Sequence, residues 1–390
     1  MHVSDGLDSS MRAVSRIAAA HADDVDRASR MPEEAIRALQ AERLMGALVP
    51  SRFGGPDRPM GQSLSRVASV CHALGQSCGA SAMIYAMHQI QVACLVAHGA
   101  ESTWHQTLMR RICDEQLLLG SVTSEAGTGG NIHASICAVD MNDDGARLQK
   151  NATTISYGAY ADALLITARR NSGAAGNDQV MVVAMRNDCT LDKTSNWDAM
   201  GMRGTCSEGF TLRFTGSGQQ ILPTPFADIA GQTMLPVSHL LWASVWLGIA
   251  TDAMNRARAY LRQQLRGGGN IASMSHRLAR GVGLLHLIQS RLSQALRDYD
   301  AVFPANGVQL PLSLTADMNS LKTTASELCL EAAQHAFMVC GIHGYKNGTE
   351  FSLGRHLRDL MSAPVMINND RMLESTGNLL LMQRPSLGVL

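Results

Sequence analysis

The chain has 390 residues, with 33 Lys plus Arg against 33 Asp plus Glu, a balance in which nothing argues for binding to nucleic acid or an anionic membrane. Its length exceeds one ordinary hydrophobic core and requires two or three packed units. Aromatic residues make up only 4% while methionine occurs 22 times, so the interior is expected to be filled by Leu, Ala, Val and Met, as in helical bundles.

The nine cysteines are scattered, odd in number and never in a CxxC pair, which points to buried thiols in a reducing compartment rather than disulfides or a metal centre. The first residues lack a basic stretch followed by an apolar one, so a cytoplasmic location is expected. The most apolar stretch, Met234 to Ala250, is broken by Ser238, His239 and Ser244. It reads as a core helix, not a membrane span.

In chain order, residues 1–118 carry helical periodicity through Met11, Val14, Ile17 and Ala18, then Ile36, Leu39 and Leu44. Pro32 followed by Glu33 and Glu34 marks a helix start, because proline tolerates the first turn and carboxylates favour the positive end of the dipole. Leu48 to Pro56 breaks that run, and further helices are expected from Gly61 to Leu74, Ala80 to His98 and Ser102 to Cys113. Residues 119–225 switch to short strand-like runs at Arg147 to Lys150, Leu164 to Arg169, Val180 to Met185 and Phe210 to Phe214. Turns are expected at Asn142 to Gly145, Asn171 to Gly173 and Thr215 to Gly218. Residues 226–390 return to long helices, interrupted at Gly267 to Asn270 and at Phe303 to Gly307. The predicted fold class is α+β, mainly α: a helical domain, a small β-barrel or sandwich, and a C-terminal four-helix bundle.

The β region opens with Thr123-Ser-Glu-Ala-Gly-Thr-Gly-Gly-Asn131. Three glycines in four positions permit positive φ and a close approach to a flat ligand, and the short side chains offer hydrogen bonds. A plain connecting turn is the alternative reading. Four further signatures accompany this run: Leu48 to Gly55, Ile155-Ser-Tyr-Gly with Ala161-Asp162, Met200 to Thr205, and Cys340 to Tyr345 with Arg358-Asp359.

In that order the five resemble the acyl-CoA dehydrogenase family over almost the whole chain. The resemblance implies FAD held between the β domain and the bundle, in a homodimer or homotetramer. It implies that Ser121, Thr123, Gly129, Ile155 and Ser156 contact the flavin, with Thr123 and Ser156 bonding its carbonyl oxygens and N5. Gly341 and Gly344 match a glycine motif that approaches a neighbouring subunit's cofactor. Arg266, near Arg262, is a candidate for the pyrophosphate, although the usual Arg-x-x-Phe-Gly signature is not found. Gly130, Asn131 and His239 are candidate substrate contacts.

Family members that desaturate acyl thioesters use a glutamate to remove the α-proton. The two places that would carry it fall at Ile367 and Ser238 in this chain, and neither is a carboxylate; Asp370 is the nearest. His88 is the candidate proton-transfer residue, since histidine titrates near neutral pH, with Asn368 as a candidate for orienting substrate or water. The favoured expectation is desaturation of a CoA- or carrier-bound acyl group with a non-standard base, coupled to an electron acceptor. A flavin-dependent monooxygenase supplied by a separate reductase and an inactive flavin-binding scaffold are the alternatives.

Overall fold

The computed structural model describes residues 4–58, 60–143, 145–268, 272–302 and 310–382. Five helices come first: α1 (Ser4–Ala28), α2 (Glu33–Ala41), α3 (Met60–Gly75), α4 (Gly79–Gly99) and α5 (Thr103–Glu115). Helix α2 starts behind Pro32 with Glu33 and Glu34 in its first turn, as the sequence predicts. The break that follows contains a short 3-10 turn, Ser51–Phe53, closed by Gly54 at φ 92°.

Seven strands follow: β1 (Leu119–Val122), β2 (Asp140–Asn142), β3 (Gly145–Ile155), β4 (Ala163–Arg169), β5 (Gln179–Met185), β6 (Cys189–Ser195) and β7 (Glu208–Gly216). They form two sheets, ordered β1-β4-β5 and β2-β3-β7-β6. Strand β1 runs parallel to β4, with Leu119 opposite Ala163, and every other pairing is antiparallel. The sequence reading misses β1, β2 and β6. The first two are four and three residues long, and β6 is mostly exposed and polar, so none carries a hydrophobic alternation. Strand β3 alternates buried and exposed residues up to a bulge between Ala152 and Ile155, where Thr153 and Thr154 are both left unburied.

The remaining helices are α6 (Phe226–Ile229), α7 (Leu235–Arg266), α8 (Ala272–Val302), α9 (Leu312–Cys340), α10 (Ile342–Tyr345), α11 (Gly354–Met361) and α12 (Asn369–Met382). The interruptions expected at Gly267 to Asn270 and at Phe303 to Gly307, and the turn at Asn142 to Gly145, fall partly or wholly outside the described residues. Helix α7 is the spine: α3, α4, α8 and α9 all pack on it. It crosses α3 with backbones in contact, since a Cβ on Gly248 would lie 2.2 Å from the His72 carbonyl and one on Gly75 would lie 2.6 Å from that of Val245. Helices Gly79–Gly99 and Phe226–Arg266 are long and apolar enough to cross a membrane, yet 89% and 94% of their apolar windows are buried in the protein. All nine cysteines are free and buried.

Two distant signatures meet to join the regions. The loop at Met200 to Met202 lies on α11: Asp359 Oδ1 accepts from the Met202 amide at 2.6 Å, and Arg358 Nη1 donates to the Met200 carbonyl at 2.9 Å. Arg358 also makes a two-pronged pair with Asp26 of α1. Gly201 has no room for a side chain here, because a Cβ would stand 2.0 Å from the Arg358 carbonyl.

Candidate functional site

A cavity of about 550 Å³ lies where the strands meet the helices. One wall comes from the strand region and is rich in hydroxyls: Ser121, Thr123 and Ser124 at β1, Thr154 and Ser156 at the end of β3, and Thr205 and Ser207 before β7. The other is helical and mostly apolar. Helix α4 contributes Met83, Met87, Ile90 and Gln91, a spacing that places all four on one helical face. Helix α7 contributes Leu235, Ser238 and Trp242, and the segment after α11 contributes Val365, Met366 and Ile367. Seven of the methionines line this space, so part of what composition assigns to core filling is a soft, polarizable binding wall.

The expected flavin contacts Ser121, Thr123 and Ser156 all line the cavity. Ile155 does not: it is fully buried, and the two-residue period of the strand turns it to the opposite face from Thr154 and Ser156. Gly129, Gly130 and Asn131 form an exposed turn outside the lining, with φ of 61° and 77° at the two glycines. Arg371 Nη1 clasps this turn through the Gly129 carbonyl at 2.7 Å. The adjacent Ile132 does reach the cavity. Glu125, in the same run, points into the β region, where it accepts from Ser135 Oγ at 2.7 Å and the Cys137 amide at 2.6 Å and lies 3.4 Å from buried Lys150 Nζ.

His88 is absent from the lining and fully buried. Its Nδ1 accepts from the Leu119 amide at 3.0 Å, which fixes the proton on Nε2, and Nε2 donates to the Met45 carbonyl at 2.9 Å. Burial outweighs that carbonyl bond and pushes the imidazole down to about 4. It is a neutral brace between the 44–45 turn and β1, with no nitrogen left for proton transfer. His239 also faces away from the cavity, and burial with the nearby Lys322 charge pushes it down to about 3. Asn368 is exposed and caps α12, its Oδ1 accepting from the amides of Asp370 at 2.8 Å and Arg371 at 3.3 Å. Asp370 is exposed and outside the lining.

Arg266 ends α7, about 40 Å from Ser238 at the helical rise of about 1.5 Å per residue, and does not line this cavity. Gly341 (φ 54°) has open space around it, and buried Gly344 packs on Cys340 and Leu353. Both are outside the lining as well.

Both positions expected to carry the glutamate, Ser238 and Ile367, line the cavity. Ser238 Oγ donates back to the Met234 carbonyl at 2.6 Å. Ile367 holds φ 50°, a costly conformation for a β-branched residue. Its carbonyl is fixed by Lys322 Nζ at 2.6 Å; the same ammonium donates to Asn369 Oδ1 at 2.7 Å and lies 5.9 Å from the Trp246 ring centre. Burial, partly opposed by Glu327, pushes this lysine down to about 8. Among the described lining residues there is no carboxylate and no imidazole, and the single charged group is Arg358, already paired with Asp26. Sequence reasoning also misses Gln91 and Trp242. Both are more than nine-tenths buried on the helical wall, and Gln91 Oε1 and Trp242 Nε1 have no hydrogen-bond partner among the described residues. The helical spacing from Met83 to Gln91 was the available signal for the first.

Residues 7–116 match the model for the acyl-CoA dehydrogenase N-terminal domain, and residues 229–366 match that for the C-terminal domain. The chain belongs to the acyl-CoA dehydrogenase family. It is 25% identical to the amino sugar nitrososynthase DnmZ of Streptomyces peucetius, over 89% of this chain and 85% of that protein. It is 23% identical to cyclohex-1-ene-1-carbonyl-CoA dehydrogenase of Syntrophus aciditrophicus, over 81% and 74%. The fold superposes on FMN-bound TdsC, a dibenzothiophene monooxygenase from a Paenibacillus species, with a TM-score of 0.82 and 19% identity across 97% of this chain and 98% of the other. Members of this family are flavin-dependent enzymes, and the relatives include both dehydrogenases and monooxygenases.

The cavity suits a flavin. Hydroxyls on one wall match the polar edge of the ring system, methionine and isoleucine offer soft contacts to its faces, and two buried polar atoms lack partners. The cofactor is a flavin.

Proposed function

We propose that this protein is a flavin-dependent monooxygenase acting on a small, uncharged, largely apolar substrate, with reduced flavin delivered by a separate reductase. One observation carries this reading: the described cavity lining has neither a carboxylate nor an imidazole, and Ser238 and Ile367 stand where one would be expected. Desaturation of an acyl thioester needs a base against a weakly acidic α-carbon, and this wall offers none. Oxygen insertion needs something different from the protein, namely a dry, fitted space and fixed orientation.

When bound, reduced flavin supplies two electrons that activate O2, one oxygen atom entering the substrate and the other leaving as water. Ser121, Thr123 and Ser156 would hold the cofactor's polar edge. Met83, Met87, Ile90 and Trp242 exclude water from the opposite side, and the Gln91 amide would orient the substrate. Arg358 adds no net charge, because Asp26 neutralises it. The names of DnmZ and the dibenzothiophene monooxygenases support the oxygenase branch. Arg266 and Gly341, remote from their own chain's cavity lining, are assigned to a partner's cofactor in a homodimer or homotetramer.

The test is to supply chemically reduced FMN or FAD with 18O2 and a neutral ring compound such as indole. Mass spectrometry should find one labelled oxygen in the product. Anaerobic bleaching of bound flavin by butyryl-CoA, with no label incorporated aerobically, would instead establish the dehydrogenase reading.

A further inference from the structure

One sequence signature, Leu48 to Gly55, has no part in the flavin cavity. Its glycines instead line a second pocket of about 330 Å³, closed by the end of α2, the start of α3 and the end of α5. The two spaces share no lining residue. Helix α4 stands between them: His88 and Gln89 bond the Leu44–Met45 turn on one side, while Met83, Met87 and Gln91 line the cavity on the other. The loop is tightly built, with Gly54 at φ 92° and a Cβ on Gly55 only 1.7 Å from the Val49 carbonyl. Three arginines line this pocket, Arg43, Arg58 and Arg66, against one carboxylate, the exposed Glu42. Asp57 is exposed and outside the lining. Arg43 donates to the Cys113 carbonyl at 2.6 Å, but the side chains of Arg58 and Arg66 have no hydrogen-bond or ion-pair partner among the described residues. Ser63, one turn before Arg66, is 5% exposed and lines the same pocket, and its hydroxyl is likewise without a partner among the described residues.

Two like charges in one pocket, with no carboxylate paired to either, repel each other until an anion from outside the chain neutralises them. Arg66 registers this: burial first, and then the Arg58 charge, push its guanidinium down from the usual range, opposed by Tyr85. We propose that this pocket binds a phosphate group, held by the Arg58 and Arg66 guanidiniums and by the Ser63 hydroxyl. The donor set makes the assignment. Each guanidinium offers a planar fork that fits two phosphate oxygens, and the buried hydroxyl adds a third direction of donation. A tetrahedral dianion accepts along all three and balances both arginines, whereas a carboxylate presents one plane and one charge. The pocket continues past this cluster along Leu44, Ala47 and Pro56, so a phosphate monoester with a small organic group fills it more fully than the bare anion. The proposal is independent of the flavin reading, because none of these residues lines the flavin cavity.

Calorimetric titrations and melting curves on the flavin-saturated protein test this, since the cofactor's own phosphate subsite is then filled. The probes are inorganic phosphate, ribose 5-phosphate and, at matched ionic strength, chloride. Wild type should bind both phosphates saturably and melt higher in their presence, with chloride inert. Arg58→Gln and Arg66→Gln should each raise the dissociation constants about tenfold, and Ser63→Ala about threefold. Arg58 lies on a loop, so Arg58→Gln still reads the site where Arg66→Gln unsettles α3. Tighter binding of ribose 5-phosphate assigns the site to a phosphorylated small molecule, and equal binding assigns it to the free anion; both outcomes uphold a phosphate site. The proposal is overturned if neither phosphate binds saturably, if chloride reproduces the gain in melting temperature, or if Arg58→Gln, folded as wild type, keeps the wild-type affinity. No turnover is measured, so these outcomes leave the monooxygenase reading to stand or fall on 18O incorporation alone.

Discussion

The two walls of the cavity are built on different principles. The strand wall is local: its hydroxyls sit within short motifs, held by backbone geometry and by one another. The helical wall is assembled from α4, α7 and the segment after α11, and its shape depends on side chains buried behind it. The first wall bears on the cofactor and the second on the reaction, so a change behind each wall should have a different signature.

The largest effect is expected at Lys322, which holds the helical wall. Lys322→Met leaves the Ile367 carbonyl without its Lys322 donor and Asn369 Oδ1 with only the Ser326 hydroxyl at 3.4 Å, and Ile367 keeps its left-handed strain. One orphaned acceptor and one left with a long hydrogen bond together cost about 2.5 kcal/mol. The pH dependence adds a second reading. The folded lysine titrates near 8, against 10.5 for a free one, so between those values the folded state binds fewer protons than the unfolded state and wild-type stability rises with pH. Denaturant melts from pH 7.5 to 10.5 should show this slope in wild type and not in the variant. Equal slopes would separate the lysine from the wall it is held to support.

Behind the strand wall, His88→Ala orphans the Leu119 amide, while the Met45 carbonyl keeps the Gln89 side chain as donor. The expected loss is about 2 kcal/mol. Depression of this histidine from 6.5 to about 4 means that its contribution is complete above 6.5 and is lost as pH falls through 4. Wild type should therefore have a steeper acid dependence of stability than the variant, while the pH profile of turnover stays the same in both. A turnover profile that loses an ionisation near neutrality in His88→Ala would return this residue to catalysis.

The contrast also explains what the sequence made legible. Helix starts, the long strands and the strand wall were readable, because proline and carboxylates at α2, the period of β3 and the Thr123 and Ser156 motifs act over a few residues. The Ile155-Ser156 motif puts Ile155 on the flavin, whereas the alternation at the end of β3 turns it to the opposite face from Thr154 and Ser156. His88 was singled out for its chemistry, but what decides its role is the pair of backbone groups it joins, Met45 and Leu119, neither adjacent to it in sequence. Gln91 and Trp242 carry no motif at all. Their importance comes from meeting across a space that only the crossing of α4 and α7 creates, and the missing glutamate is informative only once Ser238 and Ile367 are known to face that same space.

A smaller effect on stability, though a clear one on selectivity, is expected at Gln91. Gln91→Leu removes a buried amide oxygen that has no partner, so the fold should be unchanged or stabilised by about 1 kcal/mol. The cost should fall on ligands that donate a hydrogen bond. Indole should bind flavin-loaded wild type about tenfold more tightly than 1-methylindole, a difference of about 1.4 kcal/mol, and the variant should treat the two alike. Tryptophan fluorescence titration reads both constants. A preserved preference in Gln91→Leu would assign recognition to another group on the helical wall.

The smallest effect should come from an exposed contact between the two sides, Arg371 to the Gly129 carbonyl. The guanidinium and the glycine turn are both exposed, so the bond competes with water and Arg371→Ala should cost less than about 0.5 kcal/mol of stability. Its influence is on the turn's order. Gly127, Gly129 and Gly130 all hold positive φ, and three such residues give the unclasped backbone many alternatives. Flavin affinity should therefore weaken by about threefold, a change of roughly 0.6 kcal/mol, and amide exchange at 127–131 should accelerate while exchange in β1 and β3 does not. If exchange accelerates through β1 as well, the glycine turn supports the strand wall itself, and the division between a locally built wall and an assembled one would have to be redrawn.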